Sequence, residues 1–228
     1  MHLAKALAAL CLFAIALTTQ VRAQTPPSAG EIAAYTGVHA AAAKGDVSAL
    51  SALIAAKADL AARDSHGRTV VHIAGHAGHS EIVRALAAAG ADLNALDSRR
   101  YDLITIAAVR DDPGMVRLAV SLGASARNIT SPYDGTALIA AAHLGHDDVV
   151  KALIAGGAPL DQVNNLGWTA VTEAVVLGDG GKRHQETLRA LISSGANVRL
   201  ADRDGVTPLE HAQRRNYKAM VDMLTKAR

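Results

Sequence analysis

The chain has 228 residues, half of them hydrophobic, with 23 basic against 21 acidic side chains. Nothing in that balance steers it toward nucleic acid or an anionic lipid surface. Its single cysteine, Cys11, excludes a disulfide framework, so stability has to come from packing.

Met1 to Lys5 is a short positive start, and Ala6 to Thr18 is apolar up to its final Thr. Val21-Arg22-Ala23 then places small residues at the minus-three and minus-one positions before Gln24. Residues 1–23 therefore read as a secretory signal peptide cleaved after Ala23. A spanning helix needs about 20 apolar residues, which argues against a retained anchor. Lipidation of Cys11 is rejected because bulky Leu10 precedes it and too little apolar chain comes before. Taking Lys5 and Arg22 from the 23 basic residues leaves 21, equal to the acidic count, and leaves no cysteine. The expected location is the periplasm or the exterior, with no membrane insertion after cleavage. Residues 24–35, opening Gln-Thr-Pro-Pro-Ser-Ala-Gly, read as a Pro/Ser-rich mobile linker.

Beyond the linker one step recurs: Lys57-Ala58-Asp59, Gly90-Ala91-Asp92, Gly123-Ala124-Ser125, Gly157-Ala158-Pro159 and Gly195-Ala196-Asn197, spaced 33, 33, 34 and 38 residues. Such a period is one turn-helix-helix unit that cannot bury its own apolar face and must stack on a neighbour. Thr69, Thr136, Thr169 and Thr207 fall where a hydroxyl caps a first helix, with Pro208 at its first position. Ala74, Ala107, Ala141, Ala174 and Ala212 keep the first helices slim, and Gly78 and Gly145 close two of them. Ile82, Val83 and Leu86, with Val149, Val150, Leu153 and Ile154, form the apolar face of second helices.

The sharpest copy runs from Asp64-Ser65-His66-Gly67-Arg68-Thr69-Val70-Val71-His72 to Gly90-Ala91-Asp92-Leu93-Asn94, and the last begins Asp202-Arg203-Asp204-Gly205-Val206-Thr207-Pro208-Leu209. At these residues the chain resembles the ankyrin repeat. The resemblance covers 36–228 and implies an all-α solenoid of about six helix-turn-helix units: 36–63, 64–96, 97–129, 130–163, 164–201 and 202–228. It also implies a non-catalytic, monomeric protein-binding module. Asn164 to Gly181 is similar to a subgroup of exported bacterial ankyrin proteins.

Three units depart from the pattern. The third carries Asp102 in place of the capping Thr, and Asp111-Asp112-Pro113-Gly114 in place of Gly-His. The fourth, Ser131-Pro132-Tyr133-Asp134-Gly135-Thr136, shifts its turn glycine by one residue. The fifth inserts Asp179-Gly180-Gly181-Lys182-Arg183 between Gly178 and His184, where a loop for ligand or partner is expected.

Catalytic and cofactor chemistry find little footing. His72, His76 and His79 are spaced i, i+4, i+7, as a zinc site requires, but Gly78 interrupts the helix and no Cys or carboxylate converges on them. The Gly178–His184 stretch lacks the Gly-Lys-Ser/Thr end of a phosphate loop. Glu173, Asp179 and His184 have no nucleophile or oxyanion element beside them. No metal, cofactor or reaction is expected.

In the ankyrin family the second, third and fifth turn positions and the end of the first helix line a concave face. The resemblance implies a partner-binding strip of Arg68, His76, Arg99, Tyr101, Arg110, Tyr133, His143 and Trp168, with His66, Arg203, Arg214 and Arg215 in the same register. Asp179, Lys182 and Arg183 join it from the insertion. Three of the five aromatics beyond the leader lie on this strip, beside arginines, the composition of an interface hot spot. Two alternatives stay open: a small-ligand or metal-responsive envelope protein using residues 179–184, and a secreted host-directed effector.

Overall fold

The structure is a computed structural model describing residues 24–227. The expected signal peptide lies outside the described residues. A short helix, α1 (Ala29–Ala34), precedes six antiparallel pairs. The pairs are α2 (Gly37–Lys44) with α3 (Val47–Ala55), α4 (Val70–Ala77) with α5 (Ser80–Ala88), and α6 (Leu103–Val109) with α7 (Pro113–Ser121). They continue with α8 (Ala137–Leu144) and α9 (Asp147–Ala155), α10 (Ala170–Val176) and α11 (Lys182–Ser193), and α12 (Pro208–Arg214) and α13 (Lys218–Lys226). Each first helix packs on the next first helix, and each second helix on the next second helix, so the chain is an all-α solenoid of stacked helix pairs. Among the described residues the only β pairing is a bridge between Thr130 and Gly135, which closes the shifted turn of the fourth unit.

The helices form for the reasons their sequences give. Asp102, Thr136, Thr169 and Thr207 each accept an amide hydrogen from three residues on, supplying a partner for one orphan donor of the first turn. Thr69 is handled differently: its own N–H donates to His72 Nδ1 at 3.0 Å. Gly78 and Gly145 stand in left-handed backbone at the ends of α4 and α8. Ala42, Ala74, Ala107, Ala141, Ala174 and Ala212 are fully buried, which lets adjacent first helices approach across a methyl group. On α5 the triplet Ile82, Val83 and Leu86 is fully buried while Glu81 and Arg84 face water, the i, i+1, i+4 pattern of one helical face. Ile154 differs from its expected counterparts and is only half-buried.

Two segments differ from the sequence reading. The stretch 24–35 is not linker throughout. Ser28 and Glu31 form a capping box that starts α1. Glu31, Tyr35 and the Thr25 carbonyl then all engage Arg68. The insertion of the fifth unit is loop only in part. Lys182 and Arg183 open α11, which has 12 residues where the other second helices have 9.

Candidate binding surface

Between the helix pairs the turns project as fingers. Four of the five are wound around their first residue, and the fourth unit's is closed by the Thr130 N–H to Gly135 O at 2.7 Å and the Tyr133 N–H to Ser131 Oγ at 3.2 Å. Asp64 Oδ1 accepts the N–H groups of His66 and Arg68 at 2.9 Å each. Asp97 does the same for Arg99 and Tyr101, Asn164 for Leu166 and Trp168, and Asp202 for Asp204 and Val206. Adjacent fingers are tied by main-chain bonds: Ser98 N–H to His66 O at 3.1 Å, Ser131 N–H to Arg100 O at 2.9 Å, and Asn165 N–H to Tyr133 O at 2.8 Å. The tips are therefore held at fixed spacing before any partner arrives.

Five units meet the next through a second contact, at the opposite end of the first helix. A side chain from the following unit donates to a carbonyl there: His79 Nε2 to Ala43 O, Arg110 to His76 O, His146 Nδ1 to Ala108 O, His184 Nε2 to His143 O, and the Tyr217 hydroxyl to Gly178 O. The first four carbonyls lie in the last turn of their helices, among the acceptors a helix C-terminus leaves open, and that of Gly178 lies just past the end of α10. At Gly145 a Cβ would lie 2.8 Å from the His184 ring, so glycine there serves both the left-handed backbone and the seat of the clamp.

Several residues expected on the strip are occupied elsewhere. Arg68 is 1% exposed; its guanidinium is bonded to Asp64 and Glu31 and is 3.1 Å from the Tyr35 hydroxyl. Burial alone would lower its pKa, but the two carboxylates raise it further. Ser28, through its backbone and hydroxyl, and then Arg68 bring Glu31 down to about 2. Burial pushes Asp64 up, yet bonds from Tyr35 and Arg68 outweigh it and leave the carboxyl at about 2. Tyr35 is shifted upward by burial and by Asp64. His76 is also buried, and desolvation followed by the charge of Arg68 lowers it to about 4. Tyr101 is 4% exposed, packed beneath its finger, and its carbonyl accepts from His72 Nε2 at 3.0 Å. Arg110 is a clamp. Arg68, His76 and Tyr101 are thus buried away from a partner, while Arg110 stays exposed with one guanidinium nitrogen committed to the His76 carbonyl.

The insertion is similarly braced. Asp179 Oδ1 accepts from the Gly181 N–H and pairs with His184 Nδ1, each at 2.8 Å. The Gly181 amide and then His184 hold its carboxyl below the ordinary range. Gln185 donates to the Gly180 carbonyl, and the Tyr217 ring stands where a Gly180 Cβ would go. Arg183 reaches back to Asp111 at 2.8 Å and Asp147 at 3.3 Å, tying three units together. Lys182 is exposed at the start of α11.

Arg99, Tyr133, His143 and Trp168 keep surface area. Tyr133 is 40% exposed, and the sequence reading missed its company: Ile129 at 45%, Val163 at 45% and Leu166 at 42%. Tyr133 and Leu166 sit on the fingers of the fourth and fifth units, and Ile129 and Val163 lie at or one residue before the start of those fingers. Asn165 joins those fingers through its N–H to Tyr133 O and its Nδ2 to Pro132 O at 3.1 Å. The signal was present in the sequence as apolar residues at turn positions that elsewhere hold Arg63, His66 or Arg99.

Glu31, Asp64 and His66 offer ligand atoms within 4.8 Å of one another, the one such group among the described residues. The Arg68 guanidinium already sits on both carboxylates and supplies their counter-charge. No helix among the described residues is long and apolar enough to cross a membrane.

The family model for ankyrin repeats (three copies) matches residues 7–97 and 104–202. The putative ankyrin repeat protein YahD of Escherichia coli is 37% identical over 101 residues, 44% of this chain and 50% of that protein, so the match spans half the relative's length. An ankyrin repeat domain from Acinetobacter baumannii superposes with a TM-score of 0.79 at 38% identity, covering 83% of this chain and 96% of that one. The ankyrin repeat protein EF0377 gives 0.78 at 28% identity, covering 84% and 98%. With its helix pairs, wound fingers and capped first helices in the matching register, the chain belongs to the ankyrin-repeat family.

Proposed function

We propose that the chain is a non-catalytic protein-binding module of a bacterial cell envelope, gripping its partner with the finger tips of the fourth and fifth units. Ankyrin repeats in general are protein-interaction scaffolds, and the similarity to proteins of E. coli and A. baumannii supports a bacterial source. Export is supported by the apolar run 6–18 and the small residues Val21 and Ala23.

The observation that carries the reading is the set of exposed apolar side chains at two hydrogen-bonded fingers, Tyr133 and Leu166 on them and Ile129 and Val163 leading into them. Large apolar side chains held at turn tips cost solvation and serve no core, so an interface is their best account. Arg99, exposed on the neighbouring finger, meets acidic groups of the partner, and half-buried Trp168 extends the apolar contact. Because the fingers are already tied together, little ordering entropy is lost on binding.

The test is capture of partner by the Tyr133→Ser, Leu166→Ser double variant in cells, after crosslinking and mass spectrometry. Capture is expected to fall to background while unfolding stability stays within about 0.5 kcal/mol of the parent, as for exposed positions generally. Undiminished capture, or loss that merely follows unfolding, would overturn the proposal.

A further inference from the structure

Counting from each first-helix cap, the fourth residue is Ile73, Ile106, Ala140, Glu173 and His211 in successive units. The two isoleucines are buried to 1% and 0%. The helix pair therefore needs only an aliphatic there, and Glu173 places a carboxylate at 4% exposure where its own fold calls for none. Burying an ionised group is expensive unless each oxygen is matched.

Half of that matching is visible. Asn164 stands where units two, three and six have Asp64, Asp97 and Asp202. Its Oδ1 winds the finger as those aspartates do, while its Nδ2 donates to Glu173 Oε1 at 2.9 Å. An aspartate would have put a second negative charge against Glu173; the amide replaces it with a donor. The other oxygen, Oε2, is buried and accepts no hydrogen bond. The nearest basic group is His143 Nδ1, 3.4 Å away, on a side chain one-third exposed at the end of α8. The sixth unit completes the same register without a deficit, since His211 Nε2 lies 2.6 Å from Asp202 Oδ2.

We infer that Glu173, backed by Asn164 and covered by the movable His143 ring, is a receptor for a cationic side chain of the partner, an arginine guanidinium or lysine ammonium. A guanidinium can give Oε2 the hydrogen bond it lacks, with the charge match that a buried carboxylate requires. His143 swings aside as the cation enters. The inference rests on and deepens the protein-binding reading by assigning a basic contact on the first helix of the fifth unit, next to its finger. It predicts a partner segment that carries an apolar anchor and a basic residue.

The probe is N-acetyl-arginine amide, with the neutral isostere N-acetyl-citrulline amide as control. Asn164 touches both Glu173, through its Nδ2, and the Trp168 backbone N–H, through its Oδ1, so the Asn164 side-chain amide and Trp168 backbone amide resonances report on the site. The arginine probe is expected to shift these amide resonances saturably, and citrulline at least tenfold more weakly. Glu173→Gln should abolish the response, and His143→Ala should tighten it several-fold by uncovering the carboxylate. Equal responses to the two probes, a response that survives Glu173→Gln, or no response in either the parent or His143→Ala would overturn the assignment. If Glu173→Gln alters folding, the His143→Ala comparison of arginine with citrulline decides alone. Partner capture unaffected by Glu173→Gln would sink this inference and leave the finger-tip reading standing.

Discussion

Arg110, at the end of one first helix, donates its guanidinium to the main-chain carbonyl of His76 in the unit before. At the other junctions a histidine, or Tyr217 at the last, makes the corresponding bond. The third unit lost the usual Gly-His and carries Asp111-Asp112 there, with Asp112 Oδ1 capping α7 through the Met115 N–H at 2.8 Å. Arg110 restores from a different position the donor that this exchange removed.

Arg110→Met keeps much of the apolar stem but strips the donor. It should lower unfolding stability by about 1–2 kcal/mol, the worth of a charged hydrogen bond at a partly buried carbonyl. Urea denaturation followed by circular dichroism measures it. A loss under a few tenths of a kcal/mol would mean that the His76 carbonyl needs no partner.

Arg68 binds the finger of the second unit to the N-terminal segment, and its removal strands Asp64 and Glu31 without a counter-charge. Arg68→Met should cost about 3 kcal/mol, the penalty for breaking a buried ion pair from one side. Glu31→Gln should cost less, because Glu31 keeps about a quarter of its surface in water. Chemical denaturation of both variants gives the ranking, and the reverse order would contradict the assigned geometry.

The buried His76 makes stability fall with acid. Desolvation depresses its folded pKa to about 4 from an unfolded 6.5, so the unfolded chain takes up a proton that the folded one refuses. The stabilisation is whole above pH 6.5 and is lost progressively as pH falls toward 4, to a limit of about 3 kcal/mol. His72 is shifted the same way by burial. Glu31 and Asp64, both at about 2, act in a lower window, beginning near the ordinary carboxylate value of 4.5 or 3.8. Thermal unfolding between pH 7 and 5 should therefore be flatter in His76→Gln than in the parent. Identical slopes would show that His76 does not titrate as its burial demands.

What could be read from the sequence was what is local. A capping threonine, a turn-winding aspartate and a closing glycine each act within four residues, so the six-unit solenoid was legible from spacing alone. The strip was legible only in register. Arg68, His76 and Tyr101 occupy the expected positions but are buried by partners 29 to 43 residues away, such as Glu31, Tyr35 and Thr25, which no turn pattern reveals. Arg183 was placed in a loop because insertions usually fall there, whereas it extends α11 and finds Asp111 some 72 residues back. The exposure of Ile129, Val163 and Leu166 depends on the whole stack, so nothing local in the sequence singles it out.

The most direct test replaces Tyr133 with a photoreactive phenylalanine analogue in the exported protein, with the same analogue at exposed Ser51 on α3 as the control. One discrete adduct from position 133, absent from position 51 and erased by Leu166→Ser, is the predicted result. Matching adducts from both positions, or none from 133 in cells that make the folded protein, would contradict a docking surface at the fourth and fifth finger tips.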